Sequence, residues 1–311
     1  MAILKLKPAY KDYLWGGNRL KTDFYKEYDG EVLAETWELS CHKDGPSVIV
    51  NGENAGKTFP EYVKENGSGA TGTNCDRFDD FPILIKFIDA RDNLSIQVHP
   101  DNEYALKNEG QYGKTETWYI VDAKEGAGIY YGVKDAMTKE TFGEKIENNT
   151  VLDALNFQQV KKGEMYFIES GTIHAIGRDV LIAEIQQNSN VTYRVYDFGR
   201  VGADGKPRDL HIEKAKNVTN LMPMKERKEF GPHLADCDYF TVDRLLTDGI
   251  YEGKTDGTTF HSLLVLAGEG SLTAAGETVS FRKGDSLFVS ADNGAYKIEG
   301  NMEALLTTVR A

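Results

Sequence analysis

The chain has 311 residues, 40% of them hydrophobic and 27% charged, a length and balance that suit two packed barrels or one barrel with insertions and exclude a disordered segment. Acidic residues outnumber basic ones by 49 to 36, and the formal charge of -13 argues against nucleic acid or an anionic membrane as a partner. Cys41, Cys75 and Cys237 are odd in number, far apart and in no C-x-x-C pair, which fits a reducing, cytoplasmic setting and neither a disulfide framework nor a thiolate metal site.

In chain order, Ile3, Leu4 and Leu6 predict a first strand, and the N-terminus breaks too soon at Pro8 for a signal peptide. A flexible turn follows at Tyr13-Leu14-Trp15-Gly16-Gly17. Ala34–Ser40 alternates like a strand, with Glu35 and Glu38 read as ordinary exposed carboxylates. Thr58–Gly67 has proline in its first turn and glycine past its end, which predicts a short helix. Phe81–Ala90 is a largely apolar strand interrupted by Lys86, whose usual explanation is an ammonium snorkelling to water.

The stretch from Leu94 to Glu116 is the most informative. On a strand, alternate side chains share a face, so Ser95, Gln97 and His99 point one way while Leu94, Ile96 and Val98 point the other. After a polar loop, Lys114 and Glu116 repeat the device at the start of a β-branched and aromatic run through Val121; if Glu116 faces inward, so does Lys114. Glycine turns at 126, 128 and 132 suit an antiparallel barrel, and positions 137–156 switch to helical spacing, a small helical insertion. Gly163 then opens a short apolar strand that ends in a second turn at Gly171 and in His174. Two imidazoles, a carboxylate and an amide oxygen can thus converge from neighbouring strands, the N and O mixture that a hard-to-borderline divalent metal takes.

Val180–Gln187 places Glu184 inside an apolar strand, and buried carboxylates are rare unless partnered. Asn190–Arg200 follows, with Thr192, Arg194 and Tyr196 on one face, so a Glu184–Arg194 ion pair closing the barrel is one reading of both residues. His211–Leu221 predicts a helix and Pro223–Pro232 a linker. Strands resume from Tyr239, and turns at Gly268 and Gly284 echo the one before Met165, which predicts a second barrel. It holds His261 but no histidine after the Gly284 strand, so packing, not metal, is its expected role. The expected domains are 1–222, with the insertion, and 223–311.

The spacing of Gly163, Gly171 and His174, with His99 and Glu116 upstream, resembles the two halves of a cupin metal motif. More narrowly, Ser95-Ile96-Gln97-Val98-His99-Pro100 with Gly113-Lys114-Thr115-Glu116-Thr117-Trp118 resembles the type I mannose-6-phosphate isomerases, in particular their short bacterial form. The Gln-x-His pair is the specific part, since most cupins place histidine at both positions. The resemblance runs from near Trp15 to about residue 220 and more vaguely to the end. It implies a mainly β fold of two cupin (jelly-roll) barrels, the second degraded, and one zinc per chain on Gln97, His99, Glu116 and His174. It also implies interconversion of mannose 6-phosphate and fructose 6-phosphate through an enediolate, in a monomer or weak homodimer. Lys114 and Glu184 are both candidates for the acid or base, and the sequence does not choose between them. For the phosphate, the fork of Arg194 and that of Arg200 are expected to act with Lys86 and Ser95 in support. A non-catalytic sugar-binding or metal-binding bicupin, or another metal-dependent cupin enzyme such as an oxygenase, is the alternative; an oxygenase would more often want iron and a histidine at 97.

Overall fold

The computed structural model describes residues 3–202, 205–223 and 227–311, so positions 224–226 of the expected linker lie outside the described residues. The chain divides into two compact units, one of residues up to Lys11, Asn18–Phe87 and Glu229–Ala311, the other of Asp12–Gly17 and Ile88–Lys228. The mainly β architecture with few helices is as expected, whereas this division cuts across the expected domains of 1–222 and 223–311. Strand pairing is the reason: Ile3–Lys7 lies antiparallel to Ser286–Val289, with Ile3 opposite Val289 and Leu6 opposite Ser286. Alternation in so short a strand tells which side chains go inward and is silent on the partner.

In the first unit, three long strands, Thr241–Lys254, Ala295–Thr308 and His261–Ala274, lie side by side, and the sheet continues through Ser286–Val289 and Ile3–Lys7 to Val48–Ile49. Their inward positions, Leu263, Val265 and Leu272 with Phe281, Leu287, Ile298 and Ile3, form one apolar cluster. Glu35 and Glu38, on the strand Glu35–Leu39, are buried rather than exposed. Each has a partner that offsets desolvation. Lys26 Nζ stands 2.7 Å from Glu38 Oε1 and also donates to the Gly284 carbonyl, while Thr36 Oγ1 donates to the same carboxylate oxygen at 2.6 Å. Burial still pushes the Glu38 carboxyl above its ordinary range against the pull of Lys26. Lys26→Met, which leaves this carboxylate buried without its cation, is expected to cost about 3–5 kcal/mol. An unchanged urea midpoint, followed by circular dichroism, would show that the pair carries no such weight.

Lys86 does not snorkel. It is buried on the strand Ile83–Ala90, its Nζ 3.8 Å from Glu35 Oε2 and 5.1 Å from the centre of the Trp37 ring, so protein groups replace water around the ammonium.

The second unit contains a five-stranded sheet in the order Tyr193–Tyr196, Ile96–Val98, His174–Ile176, Gly128–Val133, Leu155–Gln159. Three more strands, Met165–Ile168, Glu116–Ala123 and Val180–Gln187, pair in that order. One face of the five-stranded sheet carries Ile96, Val98, Ala175, Tyr193 and Val195, and the helix Ile212–Val218 covers it together with the helical insertion packed against that helix. That insertion is a helix, Lys139–Glu147, capped by the Thr138 side chain, followed by a single turn at Val151–Ala154. Phe142 and Ile146 are the helix's buried anchors, worth about 1.5–3 kcal/mol each. Because side chains alternate along a strand, covering Ile96, Ala175 and Val195 on one face turns Gln97, His174 and Arg194 to the other. Among the described residues no helix is long and apolar enough to cross a membrane.

Candidate active site

Three neighbouring strands set the frame. Gln97 lies directly opposite His174 on one side and opposite Arg194 on the other, so the three side chains share the uncovered face in a row. His99, just past its strand, is tied to the turn before His174, because the Gly171 amide donates to the His99 carbonyl at 2.8 Å. Gly171 has φ of 85°, and a Cβ there would come 2.9 Å from the Val218 carbonyl oxygen, so this turn requires glycine. The stretch after His99 is not a plain polar loop: Asn102–Glu109 is a helix, capped by Asp101 accepting from the Tyr104 amide and ended by Gly110 in the left-handed region. Aspartate before the helix and glycine after it were the signals available for this element. The Lys114 amide beyond it donates to the Pro100 carbonyl, which returns the chain to the site.

Glu116 is the centre of the buried cluster. Its Oε1 stands 3.4 Å from His174 Nε2, and its Oε2 is 3.8 Å from His99 Nε2 and 2.7 Å from Lys114 Nζ. Lys114 also approaches His99 Nε2 at 3.3 Å and Glu184 Oε1 at 3.6 Å. Glu184, facing Trp118 across its strand pair, accepts from Trp118 Nε1 at 2.9 Å. Glu116, His99, His174, Lys114 and Glu184 are all buried. Both predicted features, the inward pair Lys114 and Glu116 and the partnered Glu184, are therefore present.

The imidazoles are oriented by backbone carbonyls: His99 Nδ1 lies 2.8 Å from the Val191 oxygen, and His174 Nδ1 lies 2.8 Å from the Thr172 oxygen. A carbonyl only accepts, so each Nδ1 carries the proton and each Nε2 presents a lone pair. Burial pushes the His174 pKa down to about 4, against the raising effect of the Thr172 hydrogen bond, so this ring stays neutral near pH 7. Its buried Nε2 has no hydrogen-bond partner among the described residues and faces a carboxylate oxygen. Two acceptors at 3.4 Å are unfavourable unless a cation mediates. The ligand atoms of His99, Glu116 and His174 lie within 4.8 Å of one another, and their carbonyl-anchored imidazoles are the arrangement that metal-ligating histidines adopt. The donors fit a divalent metal. Gln97, opposite His174, adds an amide oxygen on the same face, with Ser95 Oγ 3.5 Å from it.

Arg194 does not turn to Glu184. Its Nη1 donates to the Asp209 carbonyl at 3.0 Å, and its backbone is locked to His211 by hydrogen bonds in both directions. Burial, then the nearby Arg208, lowers its pKa. Arg200 pairs with Asp197, which also binds Arg208. Asp197 had no clear role in the sequence, and Arg208 was not singled out at all.

A mainly β chain in which two histidines and a glutamate from neighbouring strands meet in the interior defines a cupin with a metal-capable centre. Residues 3–128 match the family model of the phosphomannose isomerase type I catalytic domain, and residues 232–309 that of the mannose-6-phosphate isomerase cupin domain. A mannose-6-phosphate isomerase of Bacillus subtilis (strain 168) is 35% identical over 98% of each chain. One of Streptococcus mutans serotype c is 37% identical over 94% of this chain and 93% of its own. The crystal structure of the mannose 6-phosphate isomerase from Bacillus subtilis matches with a TM-score of 0.90 at 33% identity, covering 99% of both chains. The chain belongs to the type I mannose-6-phosphate isomerase family and is an enzyme, an isomerase of a sugar phosphate.

Proposed function

We propose that the chain interconverts mannose 6-phosphate and fructose 6-phosphate at a zinc centre held by His99, Glu116, His174 and Gln97. The observation that carries this is the meeting of the His–Glu–His donors with Lys114 and Glu184 in one buried cluster of a chain with this family membership. Family membership favours catalysis over a binding bicupin. Zinc would supply Lewis acidity toward the oxygens on which negative charge develops.

The remaining work falls to the chain's own groups. Moving hydrogen from C2 to C1 needs one group to take a proton from carbon and return it, and a second to relay the proton between O1 and O2. Lys114 and Glu184, 3.6 Å apart, are assigned these two tasks as a pair. Burial of the cluster limits bulk water, which strengthens the local electrostatics where an enediolate's charge develops. A coupled assay with mannose 6-phosphate before and after chelation tests the reading: turnover that zinc restores is expected, and full turnover by metal-free protein would refute it.

Arg194 and Arg200 are assigned to the phosphate, with Ser95 in support, while Lys86 is assigned to its pair with Glu35. A net charge of -13 cannot attract a dianion by its overall field, so local guanidiniums must do so. Arg194→Ala or Arg200→Ala is expected to lower kcat/KM for the phosphorylated sugar by about 2–4 kcal/mol with the melting temperature nearly intact. A variant that melts early yet keeps its preference for phosphorylated sugar would make the arginine a structural partner.

A further inference from the structure

The strongest unused feature of the chain is the carboxylate of Asp197 with the two guanidiniums it holds. Asp197 is buried, and its Oδ1 accepts from Arg200 Nη2 and from Arg208 Nη2, each at 2.6 Å, while its Oδ2 accepts from Arg208 Nε at 2.7 Å. Arg200 Nε adds a longer bond of 3.2 Å to the same Oδ1, and its Nη1 donates to the Asn93 carbonyl. Arg208 arrives from the far limb of a turn, closed by a bridge between Val201 and Pro207 and by the Gly202 amide donating to the Lys206 carbonyl at 2.7 Å. Burial opposes ionisation of Asp197, but the hydrogen bonds from Arg208 and Arg200 outweigh it and hold the carboxyl below its ordinary range.

We propose that Asp197 is a positioning residue that sets Arg200 and Arg208 as a paired anion fork, and that Arg208 joins Arg194 and Arg200 in taking the phosphate of the substrate. This rests on the sugar-phosphate reading above and adds to it the residue that builds the phosphate end of the site.

Three observations carry it. The first is donor geometry. Asp197 takes one edge of the Arg208 guanidinium, through Nε and Nη2, which leaves Nη1 uncommitted among the described residues. A guanidinium fixed along one edge offers the other to a second planar or tetrahedral acceptor at little further entropy cost.

The second is charge. Arg194, Arg200 and Arg208 act on one another closely enough for the two others to lower the Arg194 pKa, after burial, with Asp197 and Asp209 opposing them. A purely structural tie between the Tyr193–Tyr196 strand and the later turn would need one guanidinium for one carboxylate. A local cationic surplus in a chain of -13 costs repulsion that a bound dianion relieves.

The third is place. Arg194 is in register with Gln97, and Gln97 with His174, so on one face the arginine strand lies one strand spacing from Gln97 and two, roughly 10 Å, from His174. A hexose 6-phosphate carries its phosphate and its reacting C1 and C2 at opposite ends, as this arrangement requires.

The test uses full-length zinc-loaded enzyme and the variants Asp197→Asn, Arg208→Ala and Arg208→Lys, read by KM and kcat for mannose 6-phosphate and by the inhibition constant of inorganic phosphate. All three are expected to raise KM and the phosphate inhibition constant together by about 10-fold or more while kcat stays within about 3-fold, with Arg208→Lys the mildest. KM and inhibition constants within 2-fold of the parent in folded variants would overturn the proposal and leave Asp197 a purely structural tie. Should Asp197→Asn fail to fold, Arg208→Lys decides alone, because it keeps the positive charge and loses only the planar fork. Failure of the underlying reading shows differently: the parent enzyme itself would not convert mannose 6-phosphate, whatever the variants do with inorganic phosphate.

Discussion

His174→Ala is expected to lose its zinc and its turnover together, with metal content falling from about one per chain toward zero and turnover dropping by roughly 1000-fold or more. The expectation follows from how the ring is held. Its Nδ1 is anchored on the Thr172 carbonyl, its Nε2 is buried with no hydrogen-bond partner among the described residues, and that Nε2 faces Glu116 Oε1 at 3.4 Å. Alanine removes one of two imidazole donors and leaves the carboxylate without the neighbour that a cation would share with it. His99→Ala, whose ring hangs on the Val191 carbonyl in the same way, should behave alike. Metal analysis after dialysis, in parallel with the isomerase assay, separates the outcomes. A variant that keeps stoichiometric zinc would show that the ion sits elsewhere; one that loses zinc but turns over normally would show that the chemistry does not need it.

The elements that position this site were legible because each rests on local rules. Alternation through Ser95, Gln97 and His99 predicted a polar face, and Ile96 and Val98 do pack on the opposite one. The partner of Glu184 was not legible in the same way. The sequence offered Arg194 as that partner, and only the strand register, which brings Glu184 opposite Trp118, places it beside Lys114 at the metal-capable end. Lys86, Glu35 and Glu38 failed for a related reason: a single charge on a strand says nothing about which strand lies alongside, and these three are buried with partners. Arg208 was invisible because its tie to Asp197 is made across a turn, by a residue outside any periodic segment. The helix Asn102–Glu109 is different, since aspartate before it and glycine after it were present in the sequence and only its weak apolar pattern hid it.

Lys114→Met and Glu184→Gln are each expected to lower kcat by roughly 100-fold or more while zinc stays bound, because neither side chain belongs to the donor set and both stand beside it. The argument begins from their coupling. Lys114 Nζ lies 2.7 Å from Glu116 Oε2, 3.3 Å from His99 Nε2 and 3.6 Å from Glu184 Oε1, so the ammonium links the metal-capable cluster to the second carboxylate. Glu184 is held from the other side by Trp118 Nε1 at 2.9 Å, which fixes the carboxylate's orientation toward the lysine. One of the pair must handle the proton on carbon and the other the proton on oxygen, and the two tasks separate in heavy water. A variant lacking the carbon base loses turnover and deuterium wash-in at C2 of mannose 6-phosphate together. A variant lacking the oxygen relay loses turnover but still exchanges the C2 proton, because enediolate formation precedes the relay. Methionine and glutamine keep side-chain volume, so the packing around Trp118 and His174 should survive and the zinc content serves as the control. If both single variants turn over at the parent rate, neither residue moves a proton in the reaction, and the acid and base must be sought among groups reached by solvent.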